Sequence, residues 1–405
     1  MANTLNISRR AGYSTTIVAL FLCLFAGQAA VIAMSPVLAD AAADLHVSTA
    51  AAGQLRALTG LAAGVSAVLL GVFRGRSLAR RLLVGCALVG VGSLASAGAP
   101  SFGVLALAQL PIGVGVAVVT SGATLAAAEW VAPELRTRAL SWVLIGQPAA
   151  WIVGMPLVGF LGGWSWRYGW IALPTVAAAA AAIILSRRPA QAVTQTAASR
   201  ARAALRDGAL ARYLGSELFA NAAWAGTLVY AGALLAESYG TSMTATGALL
   251  SLAAAAYVAG NVSSRRLTRR DSGPVLIALA VALAVAVAAF GAARPGVGVS
   301  TLLFSGAAFL AGARTLVSNA FALAAPAEVR PALTSLRAAT MQFGYLIGSV
   351  VSGGALAFGG YGALGVAMGA LFAGCAATLA WRPRRRTQSA ERLPTAIPAL
   401  YGSQG

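Results

Sequence analysis

The sequence predicts an all-α polytopic membrane protein in which twelve transmembrane helices form two six-helix repeats. Three observations carry that expectation. The first is composition: 59% of the 405 residues are hydrophobic and only 10% charged, with a mean hydropathy of +0.79, whereas soluble chains carry roughly 25% charged residues. The second is that the apolar residues come in twelve blocks, and a helix needs about 20 apolar residues to cross the hydrocarbon core of a bilayer. The third is that the charges fall on one side of those blocks. A soluble helical core cannot hide twelve helices that are apolar all round, while lipid demands that pattern, because every backbone group must be satisfied within its own segment.

The first six blocks span 15–38, 50–73, 82–100, 102–127, 138–161 and 168–186. Block one is too long and too poorly flanked for a cleaved signal peptide, although Ala41-Ala42-Ala43 resembles a cleavage site. It carries Cys23 and Gln28, and the chain leaves it at Asp40, on the outside. Arg56 follows Gln54 early in block two, close enough to the outer surface to snorkel if it serves no site. Block three holds Cys86 and block four Gln109. Block five contains Gln147 and Trp151 and then reads IVGMPLVGFLGGWSWR over 152–167, with four glycines and a proline. Membrane helices tolerate Pro and Gly because neighbouring helices re-satisfy freed backbone groups, and small residues let helices approach closely. Gly154, Pro156, Gly159, Gly162 and Gly163 are therefore expected to kink span five and give it a smooth face for a span of the other half. Trp164, Trp166 and Tyr168 fit an outer interfacial belt, with Arg167 among the headgroups.

The longest polar interval, 186–212, separates the two sets of six and reads as a cytoplasmic linker. The domain organisation that follows is 1–186, linker 187–212, 213–381, and a tail at 382–405. The tail is too short and too polar for a soluble domain and is expected to be disordered. The remaining blocks span 213–236, 243–263, 274–293, 298–324, 333–358 and 361–381. In block seven, Glu217, Asn221 and Trp224 fall at i, i+4 and i+7 and share one helical face. That face offers a cavity a protonatable acid, an amide and an aromatic wall, although a carboxylate near the cytoplasmic end can also simply be solvated. Arg314 lies well inside block ten, with Ser318 one turn on and Asn319 beside it. An ionisable group at a helix centre costs at least about 2.5–3.5 kcal/mol, so each is a functional candidate. Arg314 either anchors a negative group of a substrate or pairs with a carboxylate such as Glu217 or with a backbone carbonyl. Block eleven carries Gln342 and Tyr345, and block twelve Cys375.

All 29 basic residues are arginine, and the formal charge is +19. With the N-terminus in the cytoplasm, 25 arginines fall on the cytoplasmic side, Arg337 among them. Only Arg167 and Arg294 lie outside, and Arg56 and Arg314 lie within spans. That asymmetry follows the positive-inside rule and places both termini in the cytoplasm. Anionic headgroups then supply the counter-charge, and no nucleic-acid partner is expected.

The two sets of six also echo each other. RSLARR (76–81) and RRLTRR (265–270) share R-x-L-x-R-R at an offset of 189 residues. PELRTRALS (133–141) matches AEVRPALTS (327–335) at an offset of 194, and Gly154 and Gly159 match Gly348 and Gly353 at the same offset. Matched features in register indicate a parallel duplication, an arrangement that secondary transporters use to place a midplane site between two rocking halves.

On these residues the chain resembles the major facilitator superfamily, and within it the twelve-span drug and sugar efflux proteins that exchange substrate for protons. SPVLADAAADLHVSTAAAGQL (35–55) is similar to the region joining spans one and two, and GMPLVGFLGGWSWR (154–167) to the antiporter motif of span five. The family's loop two-three pattern, G-x-L-a-D-R-x-G-R-R, becomes GVFRGRSLARR (71–81), with Gly75 where the family has Asp and Leu78 where it has Gly. Gln109 stands where the family's span-four pattern has Arg. The resemblance therefore carries over the fold but not those two coupling residues. It implies cavity-lining positions in spans one, five and eleven, here Gln28, Gln147, Trp151, Gln342 and Tyr345.

The resulting expectation is a transporter of the bacterial inner membrane that exports a drug- or sugar-like molecule by proton antiport. Arg314, Arg56, Asn221 and Trp224 join the five cavity positions as substrate contacts, and Glu217 and Asp40 are the carboxylates available for coupling. The alternative is a carrier for a small anion held by Arg56 and Arg314. An enzyme is not expected, because isolated acids and a single loop histidine, His46, build no catalytic constellation. The three cysteines have no metal or disulfide spacing and read as small buried apolar groups. No cofactor is expected, and the partners are a small molecule, protons and lipid around a monomer.

Overall fold

The structure, a computed structural model, describes residues 2–70, 77–186, 208–326 and 329–381. Regular structure among the described residues is entirely helical. The spans follow in order: α1 (Ala2–Ile32), α2 (Leu55–Leu70), α3 (Leu78–Ala97), α4 (Phe102–Glu129), α5 (Arg138–Gly162) and α6 (Tyr168–Ser186). The second set begins with α7 (Gly208–Tyr239), α8 (Met243–Ser263), α9 (Ser272–Ala292) and α10 (Val297–Ala324). The stretch Arg330–Ala380 is two helices, α11 (330–358) and α12 (361–380), because Gly359 and Gly360 leave helical geometry. Gly360 has φ of 64°, a left-handed conformation open to glycine at little cost. Among the described residues ten segments are long and apolar enough to cross a membrane, one of them holding both α11 and α12. The 16-residue α2 completes the expected twelve. Arg74, Gly75 and Arg76 of the loop motif, linker residues 187–207, Ala327, Glu328 and the tail from 382 lie outside the described residues.

Helix starts are set locally by polar side chains that accept from free backbone N–H groups. Ser77 caps α3 through the Arg80 N–H, Ser101 caps α4 through Val104, Ser242 caps α8 through Ala245 and Asp271 caps α9 through Gly273. Prolines shape the interiors. A proline lacks the N–H that would bond four residues back, and a wider π turn is one way a helix absorbs the defect. Such turns occupy Ala150–Gly154 in α5, just before Pro156, and Ile171–Thr175 in α6, around Pro174. In α6 the carbonyl freed by Pro174 belongs to Trp170, and the Thr175 hydroxyl donates to it at 3.1 Å. The Pro156 counterpart in α5 is the Ile152 carbonyl, and its donor is Ser251 of α8 in the other half, at 2.7 Å.

The matched glycines make corresponding contacts. A methyl group on Gly154 would meet Ile32 at the end of α1, 3.3 Å away, and one on Gly348 would meet Ala222 of α7. A methyl group on Gly159 would stand 2.5 Å from the Met243 carbonyl of α8, and one on Gly353 would strike Gln54, just before α2. The first glycine of each pair faces its own half and the second faces the opposite one. Two seams join the halves, α2 against α11 and α5 against α8, and the repeat converts one into the other. At the first seam a methyl group on Gly60 would lie 3.0 Å from the Leu346 nitrogen.

We call the face that holds the start of α1 and the end of α12 the terminal face, and the opposite one the distal face. Several hydrogen bonds tie the halves together on the distal side. Ser35 donates to the Leu228 carbonyl and Tyr230 to the Ala50 carbonyl, both at 2.9 Å. Gln54 donates to the Ser349 carbonyl at 2.9 Å, and Thr49 donates to the Glu237 carboxylate. The other Glu237 oxygen accepts from Tyr361 at 2.8 Å. With Ser251 to Ile152, these bonds close the molecule at its distal face.

One expectation is corrected here. Trp164 (68% exposed) and Tyr168 (47%) do face outward, but Trp166 is buried and donates to Asp44 at 3.0 Å. Arg167 stays partly exposed, pairing with Asp44 at 2.7 Å and donating to the Ala99 carbonyl at 3.2 Å. Cys23 and Cys86, read from sequence as small buried apolar groups, are buried free thiols whose Sγ atoms meet 3.7 Å apart.

Candidate functional site

The charged residues of the interior fall into two environments. The first lies within the second half. Glu217 of α7 is 1% exposed, and its carboxylate is shared between two guanidinium groups. Arg314 Nη2 of α10 is 2.7 Å from Oε1, and Arg337 Nε of α11 is 2.9 Å from Oε2. Arg337 Nη1 also donates to Asn319 Oδ1 at 2.5 Å, and Arg314 Nη2 lies 3.5 Å from Cys375 Sγ of α12. Beside the cluster, the Tyr213 hydroxyl bonds Ser318 Oγ at 2.8 Å. A carboxylate between two arginines accepts charge-assisted hydrogen bonds from both. The cluster therefore fastens α7, α10, α11 and α12 to one another.

Two sequence expectations change accordingly. Glu217 is not a solvated end-of-helix carboxylate, and Arg337 is a half-buried partner inside the bundle rather than a loop residue of the topology signal. Arg337 follows a run of loop-like residues, and its position about two turns into α11 was the available signal. The shared face of block seven is real as a helical face but does not act as one wall. Asn221 spends its amide on the Glu217 backbone carbonyl at 2.7 Å, while Trp224 stacks between Tyr257 and Phe304, with ring centroids 6.4 and 6.1 Å away.

The second environment lies at the α2–α11 seam, between the halves. The Arg56 guanidinium carbon sits 4.4 Å above the centre of the Tyr345 ring, a cation–π contact across the seam. Its Nη1 is buried without a hydrogen-bond partner, and among the described residues no carboxylate pairs with it. The alternative that Arg56 snorkels to the surface is thus corrected, because its charge turns inward. Gln342, 6% exposed, shares this seam and has an unpartnered Oε1. Structure thus groups Arg56, Gln342 and Tyr345, and separates them from Arg314.

Gln28, Gln147 and Trp151 are half-buried in the first half, and Asp40 is exposed beyond the distal end of α1. Gln109, where the family pattern has Arg, is buried and satisfied: it accepts from Thr59 at 3.2 Å and donates to Ser96 at 3.2 Å and to the Leu105 carbonyl at 3.1 Å. Trp170 went unnoticed in the sequence. It is 1% exposed, and its Nε1 has no partner. Among the described residues, no group of three or more His, Cys, Asp or Glu is gathered for a metal ion.

Comparison with known proteins places this architecture. The sequence model of the Major Facilitator Superfamily matches residues 20–313. Among solved structures, the chain is similar to the nucleoside transporter NupG, with a TM-score of 0.72 at 15% identity, covering 92% of this chain and 100% of that one. It is also similar to a bacterial homolog of the human lysosomal transporter Spinster in an inward-facing, unoccupied conformation, with a TM-score of 0.64 at 16% identity, covering 91% of this chain and 94% of that one. A transporter of the POT family gives a TM-score of 0.69 at 10% identity, covering 90% of this chain and 94% of that one. At such identities the likeness establishes the fold alone. No curated protein matches the sequence. With most of the chain inside the family match and the helices paired across two seams, this multi-pass membrane transport protein belongs to the Major Facilitator Superfamily.

Proposed function

We propose that the protein is a secondary transporter carrying a small anionic molecule by alternating access, with Arg56 as the charge that receives it. One observation carries this reading: Arg56 stands at the seam between the moving halves, buried at Nη1 and unpaired, while Glu217 in the interior is already shared by two other arginines. An unpaired buried guanidinium is costly, and an anionic cargo supplies the missing partner. The arginine asymmetry of the loops supports an inner-membrane location with both termini cytoplasmic, so that the distal seal faces outward. Closure there and opening at the terminal face would then alternate by rocking about the α2–α11 and α5–α8 seams.

A second reading, proton-coupled export of a drug- or sugar-like molecule, draws on the antiporter-like stretch of α5. Its Gly159 and Gly162 pack directly on Met243 of the other half. This reading needs a carboxylate free to exchange protons; Glu217 is committed to its two arginines, which leaves Asp40. Liposomes containing the purified protein and a pH-sensitive dye separate the two. The anion reading expects labelled organic anions to exchange across the membrane, expects that exchange to be lost in Arg56→Gln, and expects neutral sugars and cationic drugs to be ignored. Proton release provoked by a neutral or cationic compound, undiminished in Arg56→Gln, would overturn it.

A further inference from the structure

The α2–α11 seam can be followed rung by rung from the distal side. Gln54 donates to the Ser349 carbonyl at 2.9 Å. The Arg56 guanidinium then lies over Tyr345, one turn earlier in α11, with its carbon 4.4 Å from the ring centre. Next the backbones come together: a methyl group on Gly60 would stand 3.0 Å from the Leu346 nitrogen and 3.2 Å from the Gln342 carbonyl oxygen. Beyond it, a methyl group on Gly64 would meet the Phe343 ring at 3.3 Å. Glycines let the helices approach closely and offer no side chain to interlock. Rocking about that approach parts the two rungs on its distal side.

Those two rungs differ in kind. Gln54 to Ser349 is a neutral hydrogen bond and is indifferent to an anion. In the other, the ring attracts the guanidinium through its charge, while Nη1 of the same guanidinium is buried without a partner. An anion that pairs with Arg56 offsets the charge on which the ring acts. Cargo and seam contact thus draw on one cation.

We infer that Arg56 and Tyr345 form a latch released by cargo, which makes the protein an exchanger that trades one anion for another. Without cargo the cation–π contact holds the distal side shut; an anion on Arg56 loosens it. This inference rests on the anion reading above and deepens it, with Tyr345 as a positioning residue acting through Arg56. A ligand shifts a two-state equilibrium only by its differential affinity for the two states. Here the ring supplies the difference, because an anion competes with Tyr345 while the distal side is closed and is free of that competition once it opens. By the same linkage, parting the rung with no anion present is harder, so the unloaded carrier returns slowly. The other bonds between the halves on the distal side, Ser35 to Leu228, Thr49 to Glu237, Tyr230 to Ala50 and Ser251 to Ile152, involve no cation and give occupancy nothing to act on.

Liposomes holding the full-length protein and labelled benzoate, succinate or inorganic phosphate measure the two fluxes, with valinomycin and potassium carrying compensating charge. Efflux into buffer containing the same unlabelled anion reports exchange, and efflux into buffer lacking it reports return of the unloaded carrier. Exchange should exceed net efflux roughly tenfold, the scale of a desolvated cation–π contact. Tyr345→Leu should raise net efflux toward the exchange rate, and Tyr345→Phe, which keeps the ring, should behave as wild type. Phe343→Leu, which removes a ring from the same seam without touching the cation, should leave the ratio unchanged. Net efflux equal to exchange in the wild type, an unaltered ratio in Tyr345→Leu, or an equal rise in Phe343→Leu overturns the latch and leaves the anion reading standing. If Tyr345→Leu does not fold, thiol labelling of a cysteine introduced at Ser35 decides: the exchanged anion should speed it, and labelling unchanged or slowed overturns the latch. If none of the three anions moves, the anion reading and the latch fall together.

Discussion

Arg56 and Arg314 are the same residue in two membrane helices, and they sit in opposite circumstances. Arg314 meets Glu217 at 2.7 Å and belongs to a closed cluster inside one half. Arg56 has an aromatic ring beneath it, no carboxylate partner among the described residues, and a place at the boundary between halves. The first arrangement fastens a set of helices as a unit; the second leaves a guanidinium at the seam between the halves. A buried arginine is thus not in itself a binding residue. What decides its role is whether the protein already provides its counter-ion.

The largest test removes that counter-ion. Glu217→Ala should destabilise the second half by about 3–5 kcal/mol, because two guanidinium groups are left buried without it, and thermal unfolding in detergent measures the loss. Wild-type stability would erase the distinction between the two environments. Arg56→Gln should behave in the reverse manner: anion exchange falls roughly a hundredfold, as for truncating a charge that binds a ligand charge, while the unfolding temperature holds. A collapse in stability instead would make Arg56 a packing residue.

Arg337 sharpens the comparison from within the cluster. Its side chain is 25% exposed against 7% for Arg314, so water compensates part of the loss. Arg337→Gln should cost about 1.5–3 kcal/mol, and a cost equal to that of Glu217→Ala would mean the cluster acts as one unit. The smallest effect concerns the α5–α8 seam. Ser251→Ala deletes the donor to Ile152, a membrane hydrogen bond worth about 0.6 kcal/mol on average. The loss should ease opening at the distal face, read as faster thiol labelling of a cysteine introduced at Ser35. In a Pro156→Ala background the Ile152 carbonyl regains a helical donor, so the Ser251→Ala effect should shrink; an unchanged effect would detach the proline from the seal.

Much of the fold could be read along the chain. From α2 onward the helix ends fall within a few residues of the apolar blocks, while α1 begins well before its block, and the glycine pairs found by offset make corresponding contacts. The candidate site was legible in part. Arg314 with Glu217 was one of the pairings open from sequence, and Arg56 was marked as a charge within a span. Arg337 was hidden because a charge near a helix start reads as a loop charge until the neighbouring helix is known. Trp170 was hidden because an indole beside a predicted interface carries no sign of whether its N–H meets water, a carbonyl or nothing.

Sequence alone determined that this chain spans a membrane, how many times, where its helices begin and bend, and that its two sets of six share a pattern. Those properties follow from local matters: apolar length against bilayer thickness, side-chain caps, and the N–H that proline lacks. Tertiary structure alone decided which carboxylate meets which arginine, that Ser251 answers the carbonyl freed by Pro156, and that Arg56 meets the Tyr345 ring across the seam. The reason is geometric. Pairing depends on how each helix is rotated about its axis and on which helix stands opposite, and hydropathy fixes neither.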